Sequence, residues 1–245
     1  MQISFGEWVF NMNLYGELLE TGKLSQENIK TMYSLMDEFY DDMTFSAFIK
    51  DLAEKDYCIL LFDESGSVKG FSTQKIMSVK VQNEDIYGVF SGDTIIHKDY
   101  WGSLELYKVF SQYFFEYGRK YKEFYWFLIS KGYKTYKILP VFFNCFYPNV
   151  KEETPDYEQS IMHAFGSMKF PNEYDAKSGV IRYTGIKDKL KAGIADITEK
   201  QKKDKNVDFF LKANPDFLKG NDLVCLTKLS DDNLKNIAKR LLLGK

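Results

Sequence analysis

The residue with most chemical promise is Asp93, in the run Ile86-Tyr-Gly-Val-Phe-Ser-Gly-Asp-Thr-Ile-Ile-His97. A carboxylate inside an apolar strand is costly unless it is paired. It directly follows Ser91-Gly92, and a glycine within a strand marks a bulge or a close backbone approach. Such a carboxylate can take a proton from an amine, hold an ammonium group, or serve as a structural hydrogen-bond acceptor. His97 closes the same run. An imidazole titrates near neutral pH and can act as a base; a strand-end ring satisfied by its neighbours is the other reading. The second histidine, His163, falls on an amphipathic stretch and is given no role. Cys58, Cys145 and Cys225 are far apart, odd in number and set among apolar neighbours. They read as buried thiols of a reducing compartment, without disulfides or zinc; of the three, Cys145 is the one weighed as a nucleophile.

The elements that must position these groups follow from periodicity. Ser25 and Thr44 are expected N-caps of two helices, with Ile29, Met32, Met36, Phe39 and Tyr40 on one face of the first and Phe45, Phe48, Ile49 and Leu52 on one face of the second. Residues 57–63, 68–81 and 86–97 form a meander of three strands separated by turn residues. A helix from near Ser103 to about Arg119 follows, with Leu104, Tyr107, Phe110, Phe114 and Tyr117 as its inner stripe. Residues 123–130 form a buried strand, which the intervening helix makes parallel to 86–97. The segment 131–149 starts as a helix that Pro140 must end or kink. Further on come a helix at 157–168, a strand at 179–185, a charged helix at 197–210, a strand at 222–229 and a last helix capped by Ser230. Residues 1–24 are ambiguous, with a strand expected near Ile3–Phe10. One domain, 1–245, is expected, with a core at about 25–148 and an extension, 149–245, completing the sheet.

Composition narrows the function. The formal charge of −2 supplies no basic field for nucleic acid, and the stretch 200–205 mixes its lysines with an aspartate. The aromatic share of 17% provides for a large core or for an apolar ligand pocket. No secretory leader stands at the start. No run approaches the ~20 apolar residues of a membrane span, so a cytoplasmic protein is expected. Neither a P-loop, a dinucleotide fingerprint, HExxH nor GxSxG occurs, and Gly92-Asp93-Thr94 has no companion metal ligands.

The order helix, helix, three-strand meander, helix, strand, helix resembles the GNAT acyltransferases. Their signature, Arg/Gln-x-x-Gly-x-Gly/Ala, opens the helix after the fourth strand, where outward-facing N–H groups hold the donor's pyrophosphate. The stretch His97-Lys-Asp-Tyr-Trp-Gly-Ser-Leu-Glu-Leu106 is similar in its first half. Gly102 matches the first glycine. Trp101 stands in place of the usual arginine, and Leu104 and Leu106 in place of later glycines. The resemblance implies an α/β (α+β) fold with a mixed, mostly antiparallel sheet flanked by helices and an elaborated C-terminal third. It implies transfer of an acyl group from acyl-CoA or acyl carrier protein to a small-molecule or peptide amine, without a metal. The donor residues would be Ile96, Trp101, Gly102, Ser103 and Leu104. Asp93 or His97 would be the base, and Tyr133 or Tyr136 would protonate the leaving thiolate; Tyr147 is a lesser candidate. Lys131, Lys134 and Lys137 would meet phosphates or form a solvated face. The departures from the signature point to a longer acyl chain, with Phe90, Phe127, Phe142, Phe143 and Phe146 along it or in the core. Two rival readings are a GNAT-like binding module without catalysis and an autoinducer-synthase-like enzyme.

Overall fold

The computed structural model describes residues 13–184, 188–194 and 196–244. The strand expected near Ile3–Phe10 lies outside them. Instead, β1 is Tyr15–Glu20. Helix α1, Gln26–Phe39, starts where the Ser25 side chain accepts the Asn28 N–H. Its buried face is Met32, Leu35, Met36 and Phe39. A two-residue strand, β2 (Tyr40–Asp41), follows. Helix α2, Phe45–Leu52, is capped by Thr44 through the Ala47 N–H. Each such cap contributes about 1 kcal/mol.

The meander is β3 (Tyr57–Phe62), β4 (Val68–Val81) and β5 (Glu84–Ile96). Gln82 and Asn83, both at positive φ, make the two-residue turn between β4 and β5, the geometry that suits the twist of a tight hairpin. Helix α3, Glu105–Gly118, crosses over to β6, Phe124–Ser130. The helix begins at Glu105 rather than near Ser103, because Gly102 turns the chain at φ 101° and Leu104 takes the N-cap position. Its buried stripe is Leu106, Phe110, Phe114 and Phe115, so Tyr107 and Tyr117 sit at the margins.

After β6 come two short helices, α4 (Tyr133–Tyr136) and α5 (Ile138–Phe142). The break falls at Lys137, just ahead of the proline. Pro140 cannot donate to the Tyr136 carbonyl, but in the first turn of α5 its missing N–H costs little. Helix α6 is Asp156–Lys169. Strands β7 (Tyr174–Asp175), β8 (Val180–Ile181) and β9 (Lys189–Leu190) are two residues each. The charged segment is split into α7 (Glu199–Lys202) and α8 (Lys205–Ala213). Strand β10 is Asp222–Lys228. Ser230 does not cap a helix by its side chain; a short turn intervenes, and the last helix begins at Asn236, as α9 over Asn236–Ala238 and in π-helical form over Lys239–Leu243.

The main sheet has the order β1-β3-β4-β5-β6-β10-β8-β7 among the described residues. All its pairings are antiparallel except β5 with β6, which the α3 crossover makes parallel. Strand residues alternate between two packed faces. Phe124, Trp126 and Leu128 of β6 join Phe110 and Phe114 of α3 on one side. On the other side, Tyr125 and Phe127 meet Ile161 and Phe165 of α6. On that second side α1 and α2 cover β3 and β4 through Met32, Met36, Phe48, Leu60 and Phe71. The wedge between β5 and β6 therefore lies where two helical covers adjoin.

Candidate acyl-transfer site

Strands β5 and β6 pair from Tyr87↔Phe124 to Ser91↔Leu128 and then part. At the same point the β4–β5 register shifts: Ser72 faces Thr94 and Gln74 faces Ser91. Two residues, Gly92 and Asp93, thus oppose Thr73 alone, which is a bulge on β5. Gly92 is required there. A Cβ on it would lie 2.7 Å from both Lys55 Cε and Thr73 Oγ1. Beyond the bulge, His97 N–H donates to the Lys69 carbonyl on β4 at 2.8 Å. By the alternation of an antiparallel ladder, Thr94 and Ile96 turn their peptide groups away from β4 and into the wedge. The Ile96 carbonyl, so directed, accepts the Trp101 indole N–H at 2.8 Å.

Two cavities open at the wedge. The larger, about 260 Å³, is bordered by Tyr40 and Asp42 after α1, by Ser91–Thr94, by Phe110 and Trp126, and by Lys131, Tyr183, Asp188 and Asp222. The smaller, about 150 Å³, lies between Thr94–Ile96 and Lys131–Thr135, with Trp101, Leu190 and Ile194 on its rim.

The larger cavity concentrates charge. Lys131 Nζ meets Asp188 Oδ2 at 2.7 Å and Asp222 Oδ2 at 3.9 Å, with both carboxylates buried. Tyr183 donates to Asp222 at 3.0 Å. Burial, followed by Asp93, Asp188 and Asp222, holds the Tyr40 phenol well above its ordinary range. Burial and then Asp222 do the same to Tyr183. Both phenols stay neutral and can donate hydrogen bonds without acting as bases.

Of the residues singled out from sequence, Asp93 lines the larger cavity. Ile96, Trp101 and Tyr133 line the smaller. Gly102, Ser103 and Leu104 form the turn into α3, where Ser103 Oγ accepts the Glu105 N–H at 3.3 Å. His97 borders neither cavity. Its ring accepts the Asp99 N–H at 3.3 Å and stands between Glu38 and Asp99, at 3.9 and 3.5 Å. Tyr136 is also apart: it is fully buried, and its hydroxyl donates to the Pro148 carbonyl at 3.0 Å. Burial raises the Tyr133 phenol, which keeps it protonated. Tyr147 is likewise raised, first by burial. The three lysines do not form one solvated face. Lys131 is in the ion pair above, Lys137 meets Asp204 at 2.9 Å, and Lys134 lies 3.8 Å from the centre of the Trp101 ring. Burial lowers the Lys134 pKa. Of the five phenylalanines considered for an acyl channel, Phe90 borders the larger cavity; Phe127, Phe142, Phe143 and Phe146 pack in the cores.

Sequence reasoning missed Tyr40, Tyr183, Asp188 and Asp222. Asp222, which opens an otherwise apolar strand, carried the one available signal. The cysteine reading also changes, because Cys145 is exposed. Burial pushes the Cys58 and Cys225 thiols up to about 12. Labelling the native protein with a thiol reagent at pH 8 should therefore modify one cysteine fast. The other two should react at least ~100-fold more slowly until the chain unfolds; three equal rates would contradict this burial.

The meander, the crossover to a parallel strand and the parting of that pair define a GNAT-like α/β fold. No protein-family model matches the chain, and no curated protein does. Among solved structures, a probable N-acyltransferase of Enterococcus faecalis is similar at 12% identity and a TM-score of 0.41, over 55% of this chain and 33% of that one. A GNAT family N-acetyltransferase of Escherichia coli in complex with CoA is similar at 14% identity and a TM-score of 0.35, over 49% of this chain and 64% of that one. An aminoglycoside acetyltransferase from an uncultured soil metagenomic sample gives 14% and 0.38, over 51% and 82%. The match thus spans a third of the length of the first and less than two thirds of the second. Among the described residues, no helix is long and apolar enough to cross a membrane, and no three metal-ligating side chains gather into a metal-binding group.

Proposed function

We propose that the chain is an N-acyltransferase, in which a thioester donor enters the wedge between β5 and β6 and an amine attacks it from the larger cavity. The observation that carries this is the parting of the two strands at Ser91↔Leu128, beside the bulge that bears Asp93. The donor chain would lie along the peptide groups of Thr94 and Ile96, and Trp101 with Lys134 would form the outer wall. A donor pyrophosphate would reach the turn Gly102–Leu104, where α3 offers N–H groups.

Asp93 takes a proton from the incoming ammonium, freeing the nitrogen lone pair. The nitrogen attacks the carbonyl carbon and forms the C–N bond. The carbonyl electrons move onto oxygen, where a Thr94 or Ile96 N–H can stabilise them. Collapse breaks the C–S bond, and the remaining extra proton on the nitrogen passes to the departing thiolate, so that amide and thiol are the products. A thiol's ordinary pKa of ~8.5 lets it leave without a strong acid, so neither raised phenol is needed as a proton donor. Because Phe90 alone of the five phenylalanines borders the larger cavity, a short acyl group fits this site better than a long one. Acyl-CoA and acyl carrier protein remain the two donor classes, and the acceptor is a primary amine of small size.

A thermal-shift panel of acetyl-CoA, octanoyl-CoA, palmitoyl-CoA and acylated carrier protein tests the proposal. A donor at about 100 times its Kd should stabilise the fold by about 2.7 kcal/mol. Acetyl-CoA is expected to give the larger shift per unit concentration. If no thioester shifts the melting temperature, the binding-module alternative replaces the enzyme.

A further inference from the structure

Polar side chains are buried in the strands at the wedge, where apolar ones would pack as well. Ser72 and Gln74 on β4 and Ser91 on β5 are each under one-tenth exposed, as is Trp126 on β6. They are joined end to end. The Trp126 indole N–H donates to Ser91 Oγ at 2.8 Å. Ser91 donates to Gln74 Oε1 at 2.7 Å, and Gln74 Nε2 donates to Ser72 Oγ at 2.7 Å. Ser72 Oγ lies 2.7 Å from Thr94 Oγ1, and the Thr94 hydroxyl donates to the Gly92 carbonyl at 3.3 Å.

The direction of this chain is set at its two ends, by the Trp126 indole and by the Thr94 hydroxyl. An indole N–H can only donate, so Ser91 accepts there, and its own proton goes to Gln74 Oε1. That sets the Gln74 amide with oxygen towards Ser91 and nitrogen towards Ser72. With the Thr94 hydroxyl donating to the Gly92 carbonyl, Ser72 gives its proton to Thr94. All five links run one way, the arrangement in which each bond polarises the next. The chain also has a definite place. Ser72 and Thr94 flank the bulge on one side, Gln74 and Ser91 on the other, and Trp126 ties Ser91 to β6 where the strands part. Within this chain, the Gln74 carboxamide is the group that spans the bulge from one side to the other.

Resting on the N-acyltransferase reading, we propose that Gln74 is a positioning residue for the reaction. Its carboxamide holds the segment Ser91–Thr94 so that the Asp93 carboxylate and the Thr94 amide converge on the reacting carbonyl. A bulge free to slide would move both groups, and a displacement of about 1 Å in such a site costs on the order of 10² in rate.

The test compares Gln74→Leu, Thr94→Val and Thr94→Ser with the unaltered protein. CoA release is followed with acetyl-CoA and octanoyl-CoA against a set of primary amines. Thr94 is exposed, so Thr94→Val removes the last link without disturbing a core, and thermal unfolding reports on Gln74→Leu. The expected result is a kcat lowered about 10- to 100-fold in Gln74→Leu and about threefold or more in Thr94→Val, by loss of alignment. KM for the donor should stay within about twofold, and Thr94→Ser should restore kcat. Unchanged kcat in both Gln74→Leu and Thr94→Val, with an active parent, would overturn the positioning role while leaving the acyltransferase reading intact. Loss of kcat in step with loss of melting temperature, without rescue by Thr94→Ser, would overturn it in favour of a purely structural network. An inactive parent with every donor and amine would overturn the acyltransferase reading, and the positioning role with it.

Discussion

Asp93→Asn is expected to lower kcat about 10²- to 10⁴-fold, the usual range for losing a positioned general base, with little change in donor Kd. The substitution keeps the shape of the side chain and its place on the β5 bulge. It removes the charge and the ability to hold a proton. Asp93 borders the larger cavity and stands near enough to Tyr40 and Tyr183 for its charge to raise both phenols. Neither neutral phenol can replace it as a base. Steady-state kinetics with the best donor and amine check this directly. The split between kcat and KM matters, because loss of an interaction made only in the transition state leaves binding intact. A variant that keeps kcat within about threefold would move the base elsewhere.

The second large effect falls on stability. Phe127→Ala should destabilise the fold by about 3–5 kcal/mol, the range for an aromatic lost from a closed core. Phe127 is at 0% exposure on β6. Its ring packs 5.7 Å from Phe90 and 5.5 Å from Phe165, so neighbours from β5 and α6 both lose contacts. At about 2–4 °C per kcal/mol for a chain of this size, the melting temperature should fall by about 6–20 °C. Phe45, at 43% exposure on α2, is the control, and its alanine variant should lose less than a third as much. Similar losses at the two positions would contradict the packing of α6 on this half of the sheet.

Periodicity alone makes most of the core legible. Ser25 and Thr44 cap the helices that follow them, as expected, since a hydroxyl ahead of an amphipathic run is a local signal. The meander and the crossover strand are legible too, because alternation and apolar runs are properties of single segments. What fails depends on distant partners. Strand β1 exists because Tyr15–Glu20 pairs with Tyr57–Phe62, not because its own residues insist on a strand. The last helix starts at Asn236 rather than directly after Ser230 because the Asn233 side chain donates to the Cys145 and Lys228 carbonyls and holds the chain in a turn. The candidate site divides in the same way. Asp93 stands out because a carboxylate after Ser-Gly in an apolar strand is conspicuous. Tyr40, Asp188 and Asp222 come from three remote segments, and only folding brings them round Lys131. Gln74 and Ser91 are ordinary strand residues by sequence; their role comes from side chains that meet across a bulge.

Donor binding in the wedge can be observed at the residues that form it. In ¹⁵N-labelled protein titrated with acetyl-CoA, the Thr94 and Ile96 amide resonances should move progressively and saturate, along with those of Gly102 and Ser103. Saturating shifts confined to other surfaces, or none at these four amides at millimolar acetyl-CoA, would contradict a thioester site between β5 and β6.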